Sequence, residues 1–174
     1  MVAVAKAQDE FNYIPETKDA IEYLLTHHIE IGIFGEDDSK MLMIARVQEY
    51  GVEIEVTEAM RAYLHSQGLH LRDDTNSINI PERSFMRAGF DSGRKEFEEV
   101  IQGLIAQTIM LEIEPEAALE AIGLHIQSAL QEYLTEISSP PNHPFTIEQK
   151  GSSNPLIGKS GHLRDSITYK IESG

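Results

Sequence analysis

Residues Pro115–Ile137 read PEAALEAIGLHIQSALQEYLTEI, and the spacing of their apolar positions decides the fold. Ala118, Leu119, Ile122, Ile126, Ala129, Leu130, Tyr133 and Leu134 recur at three- and four-residue intervals, which lines one face of an α-helix. Pro115 suits the first helical position, where a missing N–H leaves no intrahelical bond unmade. Continued to Ile137, this helix is about 34 Å long at 1.5 Å per residue and forms the spine of the domain. Upstream, from Asp91 onward, Phe97, Val100, Ile101, Leu104, Ile105, Thr108 and Ile109 form a second stripe of the same period. Two such helices in succession bury their stripes against each other and against a further layer.

The remaining chain supplies that layer. A helix is predicted over Thr17–His27, with Ile21, Leu24 and Leu25 on one face, followed by a strand in which Ile29, Ile31 and Ile33 alternate with Glu30 and Gly32. A short helix follows in SKMLMIARVQEYG, with Ser39 as its cap and Gly51 as its terminator. Residues 52–80 read as a small inserted excursion: the strand VEIEV, a helix capped by Thr57, then LHL and SINI as a hairpin around Arg72–Asn76. After Ile137 come Pro140, Pro141, Pro144 and Pro155 among Gly and Ser, so 138–162 is expected to be one long loop. Period-two spacing of Ile167, Tyr169 and Ile171 predicts a final strand. The expected fold is α+β: one domain over 1–174, with a small mixed, mainly antiparallel sheet packed by two long helices.

Composition narrows the chemistry. The 174 residues contain no cysteine, which excludes disulfides, thiolate metal sites and cysteine nucleophiles. No stretch is apolar for long enough to span a membrane, and the start MVAVAKAQDEF lacks the features of a secretion signal, so a cytoplasmic protein with no membrane partner is expected. The net charge of −15 is uneven: residues 1–137 hold 10 Lys/Arg against 26 Asp/Glu, or −16, and 138–174 hold 4 against 3, or +1. An acidic body repels phosphates and disfavours sequence-independent DNA binding.

Several motif-like stretches yield no chemistry. Ser153–Ser160, SNPLIGKS, ends like a nucleotide-binding phosphate loop, but Ser153 stands where that loop needs glycine and Pro155 removes an N–H from the cradle. None of the seven His residues has a second ligand at helical spacing, so no metal is expected. The loop carboxylates Glu36, Asp37, Asp38, Asp73 and Asp74 are of the right type for Mg²⁺ but lack any spaced signature. No nucleophile elbow surrounds a serine. No catalytic residue and no cofactor is expected; the competing reading is a small metal-dependent nuclease or hydrolase using those carboxylates. Glu49 and Tyr50, at a helix end, and Arg83 and Arg87, flanking Phe85, are left as contact residues. If helical, the two arginines share one face and either meet a neighbouring subunit or pair internally with Glu49 or Glu82.

The blocks EIGIFG, IARVQEYG, IPERSF (Ile80–Phe85) and KGSSNPLIGKSGHLRDSITY (Lys150–Tyr169) together resemble a family of tailed-phage and prophage virion morphogenesis proteins, the small neck or tail-completion proteins. The likeness runs from about Ile29 to Ile171. Its most specific part looks like the family's K-G-S-x-x-P-L-I-x-T-G-x-L-x-x-S-I-x-Y, carried by Lys150, Gly151, Ser152, Pro155, Leu156, Ile157, Gly161, Leu163, Ser166, Ile167 and Tyr169, with Ser160 where Thr is usual. The resemblance implies a non-enzymatic virion subunit that forms a ring, hexameric or dodecameric, at the head–tail interface or the upper end of the tail. Its partners would be neighbouring connector and tail proteins, with DNA only as passing cargo. With the contact residues Glu49, Tyr50, Arg83 and Arg87, interface roles are then expected for Phe85, Lys150, Pro155, Leu156, Ile157, Leu163 and Arg164. The carboxylates of Glu36, Asp37, Asp38, Asp73 and Asp74 are then expected to line the DNA channel.

Overall fold

The structure is a computed structural model and describes residues 13–35 and 38–174. It is an α+β fold built from seven helices and two antiparallel two-stranded ribbons among the described residues. In chain order these are α1 (Ile14–Thr26), β1 (His27–Gly32), α2 (Ser39–Tyr50), β2 (Val52–Glu55), α3 (Glu58–Ser66), β3 (Ser77–Ile80), α4 (Arg87–Ile109), α5 (Pro115–Glu136), α6 (Pro144–Lys150), α7 (His162–Asp165) and β4 (Thr168–Ser173).

The spine is α5, as its periodicity requires. Leu119, Ile122, Ile126, Leu130 and Leu134 are buried along one face, where they meet Phe97 of α4, Phe85, and the C-terminal residues Leu156, Leu163 and Ile167. β1 and β4 lie across α5, with His27 opposite Ser173 and Gly32 opposite Thr168. The ribbon comes this close because α5 carries Gly123 beneath it: a Cβ there would overlap the Tyr169 ring. Helix α4 begins at Arg87, earlier than its apolar stripe alone indicates, and the short turn after Ile109 folds it back along α5.

One sheet was expected, and two separate ribbons are found. β2 pairs with β3, Val52 opposite Ile80, so SINI closes on VEIE rather than on LHL, which forms no strand. The reason is local. Thr57 caps α3 by accepting from the Met60 N–H, and Arg61 donates to the Arg72 and Thr75 carbonyls, which holds the 72–75 turn against α3. Strand pairing is thereby left to residues 77–80. No residue of 52–80 belongs to the main hydrophobic cluster, so the excursion is a satellite lobe.

Three further expectations give way. The stretch 138–162 is not one loop, because Pro144–Lys150 form α6. Pro144 is compatible there, sitting in the first turn, where a proline needs no N–H, and His143 Nδ1 accepts from the Phe145 N–H as a cap. Likewise His27 and His28 belong to β1 instead of ending α1, and α2 is capped by Asp38 rather than Ser39, through a 2.9 Å bond from the Met41 N–H.

Candidate functional site

Glu49, Tyr50, Arg83, Arg87 and Lys150, all singled out from the sequence, fall into two adjoining hydrogen-bonded knots at the base of the excursion. The first is centred on Glu49, near the end of α2 and only 5% exposed. Its carboxylate accepts from the Ser84 hydroxyl (2.8 Å), the Met86 N–H (2.9 Å), the Arg87 N–H (3.1 Å) and the Arg87 guanidinium (3.0 Å). A carboxylate placed at the first turn of α4 satisfies N–H groups that a helix start leaves orphaned. Burial alone would push the Glu49 carboxyl upward; these four donors outweigh it and hold the group below its usual value. Arg87 also donates to Glu82 Oε1 at 2.7 Å and lies over the Tyr50 ring at 4.6 Å, leaving Tyr50 61% exposed.

The second knot is centred on Arg83, only 4% exposed. Its Nε donates to the Pro140 carbonyl (2.7 Å), one terminal nitrogen to Gln48 Oε1 (2.8 Å), and the other to the Pro141 carbonyl (3.2 Å) and Asn142 Oδ1 (3.1 Å). All four acceptors are neutral. Burial lowers the Arg83 pKa, and Lys150 is lowered by burial and then by the Arg83 charge. Lys150 Nζ in turn donates to the Asn154 carbonyl (3.2 Å) and the Pro155 carbonyl (2.8 Å). Two cations therefore clamp four carbonyls of a segment rich in proline, whose own backbone offers few donors to satisfy them.

Asn154 explains why SNPLIGKS is not a phosphate loop. Its Oδ1 accepts from the N–H groups of Leu156 (2.9 Å) and Ile157 (2.7 Å), while its Nδ2 donates to the Thr135 carbonyl (2.9 Å) at the end of α5. Those N–H groups are turned onto a side chain and are unavailable to a phosphate. Lys159 and Ser160 are exposed. Asn154, Asn142 and Gln48 were not expected as site residues; the Asn-Pro pair at 154–155 is the one local signal that marks a side-chain-closed turn.

Other expected site residues are dispersed. Phe85, Pro155, Leu156 and Leu163 are buried within the chain itself, so in this conformation they hold the fold and offer no surface to a neighbour. Ile157 is half-buried, and Arg164 pairs with Asp165 at 2.7 Å. Arg83 and Arg87 do not share a helix face, because Arg83 precedes α4 and turns into the chain while Arg87 opens the helix. Of the acidic set, Asp38 caps α2 and lies 3.4 Å from His162 Nε2, and Asp73 and Asp74 are exposed on the turn held by Arg61, with Asp74 bonded to Arg72. Glu36 and Asp37 lie outside the described residues. Among the described residues no three His, Asp or Glu side chains gather as a metal site would require, and no helix is long and apolar enough to cross a membrane.

No protein-family model matches this chain, and no curated protein or solved structure matches it either.

Proposed function

We propose that this protein is a structural subunit of a tailed-phage particle, forming a ring at the head–tail interface or the tail end through which DNA passes. One observation carries the reading. The two sequence blocks most like those of neck and tail-completion proteins, 80–85 and 150–169, are joined through residues 140–142: Arg83 donates to the Pro140 and Pro141 carbonyls and to Asn142, and Asn142 donates to the Pro155 carbonyl that Lys150 also holds. Arg83, Lys150 and Asn154 of those blocks are consumed in fixing the shape of a long connection. A scaffold that presents a preformed surface to a neighbour gains from this, because ordering the segment is not left to the binding step. The acidic body, −16 over 1–137, fits the same role, since a wall of like charge leaves DNA no phosphate contacts to break during transit.

Antibody-gold labelling of purified particles tests the proposal. Label at the junction of head and tail is expected. Particles that carry none of the protein, together with metal-dependent DNA cleavage by the purified chain, would reject it in favour of an enzyme.

A further inference from the structure

The β1–β4 ribbon has two strands and two outer edges. The Gly174 N–H donates to the Thr26 carbonyl at 2.8 Å, one step beyond the His27–Ser173 pair, so 26/174 stands at a hydrogen-bonded position of the ladder. Alternation along an antiparallel ladder then makes 28/172, 30/170 and 32/168 the exchanging pairs. The backbone N–H and C=O groups of Tyr169, Ile171 and Ser173 therefore point away from β1, along the outer edge of β4. Among the described residues no loop, helix or side chain hydrogen-bonds to them.

The two edges are not equivalent. Beside β1 stands the start of α4, and Ile29, Ile31, Met86, Phe90 and Leu130 line the groove between them. A second copy approaching that edge would bring its own α4 against this one. No β4 residue lines the groove, and the elements chiefly packed against β4 are β1 and α5.

We infer that the free protein pairs with a second copy of itself, β4 against β4, about a two-fold axis at Ile171. Completeness of pairing selects this register. With Ile171 opposite its own counterpart, Tyr169 faces Ser173 of the second copy, and every outward N–H and C=O of the three residues finds a partner. Centring on Tyr169 would instead draw in Ile167, which is fully buried and whose carbonyl already accepts from Gln131. Charge selects the same register. On the solvent face Lys170, whose ammonium also lies 4.3 Å from the centre of the Phe34 ring, is opposite Glu30 within the chain and would lie opposite Glu172 of the second copy, so sign alternates over three strands, with His28 of the second copy on the fourth. Beneath them the two α5 helices sit side by side, at a spacing that four strands of about 4.8 Å each can cover. The pairing turns two marginal ribbons into one four-stranded sheet and removes an open edge that would otherwise invite aggregation. It concerns the chain before it joins a particle and is independent of the neck reading.

Because the chain has no cysteine, introduced thiols report the geometry without interference. Lys170→Cys and Glu172→Cys proteins, each made separately and then mixed and oxidised, are expected to give a disulfide-linked heterodimer, with little homodimer from either alone. In sedimentation equilibrium the unmodified chain is expected to be dimeric, and Glu172→Lys, with an unchanged circular dichroism spectrum, to raise the dimer dissociation constant at least tenfold. A chain that stays monomeric up to several hundred micromolar overturns the inference, as does a dimer that neither cross-links in the mixture nor weakens with Glu172→Lys.

Discussion

Replacing Arg83 by Met tests how the Pro-rich segment is held. The side chain makes four hydrogen bonds, at 2.7, 2.8, 3.1 and 3.2 Å, two of them to carbonyls of consecutive prolines. Hydrogen bonds from a charged donor contribute roughly 1.5–3 kcal/mol each, but they are not additive here. No carboxylate neutralises the guanidinium, so its removal also relieves a buried charge, and the freed acceptors at the rim recover water. Net destabilisation of about 3–5 kcal/mol is expected, in the range for breaking a buried charged cluster. At about 2–4 °C per kcal/mol for a chain of this size, that lowers Tm by roughly 6–20 °C. Lysine keeps the charge but loses the planar fork, so Arg83→Lys should recover only a part. Thermal unfolding followed by circular dichroism gives the magnitude, and trypsin cleavage after Lys150 and Lys159 reports whether the segment has loosened. An Arg83→Met protein with unchanged Tm and unchanged cleavage would refute the clamp, and full rescue by Lys would refute the argument from its geometry.

Three other outcomes follow from the same knots. Glu49 has a folded pKa below its unfolded value near 4.5, so its contribution is present above that value and is lost as pH falls through the folded one. Tm curves of the unmodified chain and Glu49→Gln should therefore lie apart at pH 6–7 and approach each other in acid; a constant gap counts against the assignment. Gly51 has φ +68°, and a Cβ there would lie 2.8 Å from the Glu82 nitrogen and 2.9 Å from the Ile80 oxygen, so Gly51→Ala should cost at least 1–3 kcal/mol in denaturant titration. Asn154→Ala should cost about 2 kcal/mol and raise amide exchange at Leu156 and Ile157, whose N–H groups lose their acceptor.

How far the fold could be read in advance depended on the range of the interactions. The α5 stripe and the Pro115 start are local, and both appear as the periodicity dictates. The division into two ribbons was not legible, because Ser77–Ile80 could pair with either neighbour and the choice is made by Arg61 holding the 72–75 turn from α3. Helix α6 was hidden because proline density was read as a barrier, whereas Pro144 occupies a position in the first helical turn where proline is compatible. At the candidate site, the internal pairing of Arg87 with Glu49 and Glu82 was foreseen as one of two options. The cradle of Arg83 was not, since it joins Gln48, 83 and 140–142, which no short-range pattern links. Burial of Phe85, Leu156 and Leu163 shows why a motif recognised by likeness mixes folding residues with any that meet a partner.

If the chain is a tail or neck subunit, as proposed, it acts by assembling on a phage tail. The most direct measurement is the mass of the purified protein by light scattering over a concentration series, alone and with isolated tail tubes, with electron microscopy of any large species. A small species that converts to a ring on the tube end is expected. A chain that remains small, ignores tails and capsids, and cleaves DNA when a divalent metal is added would contradict it.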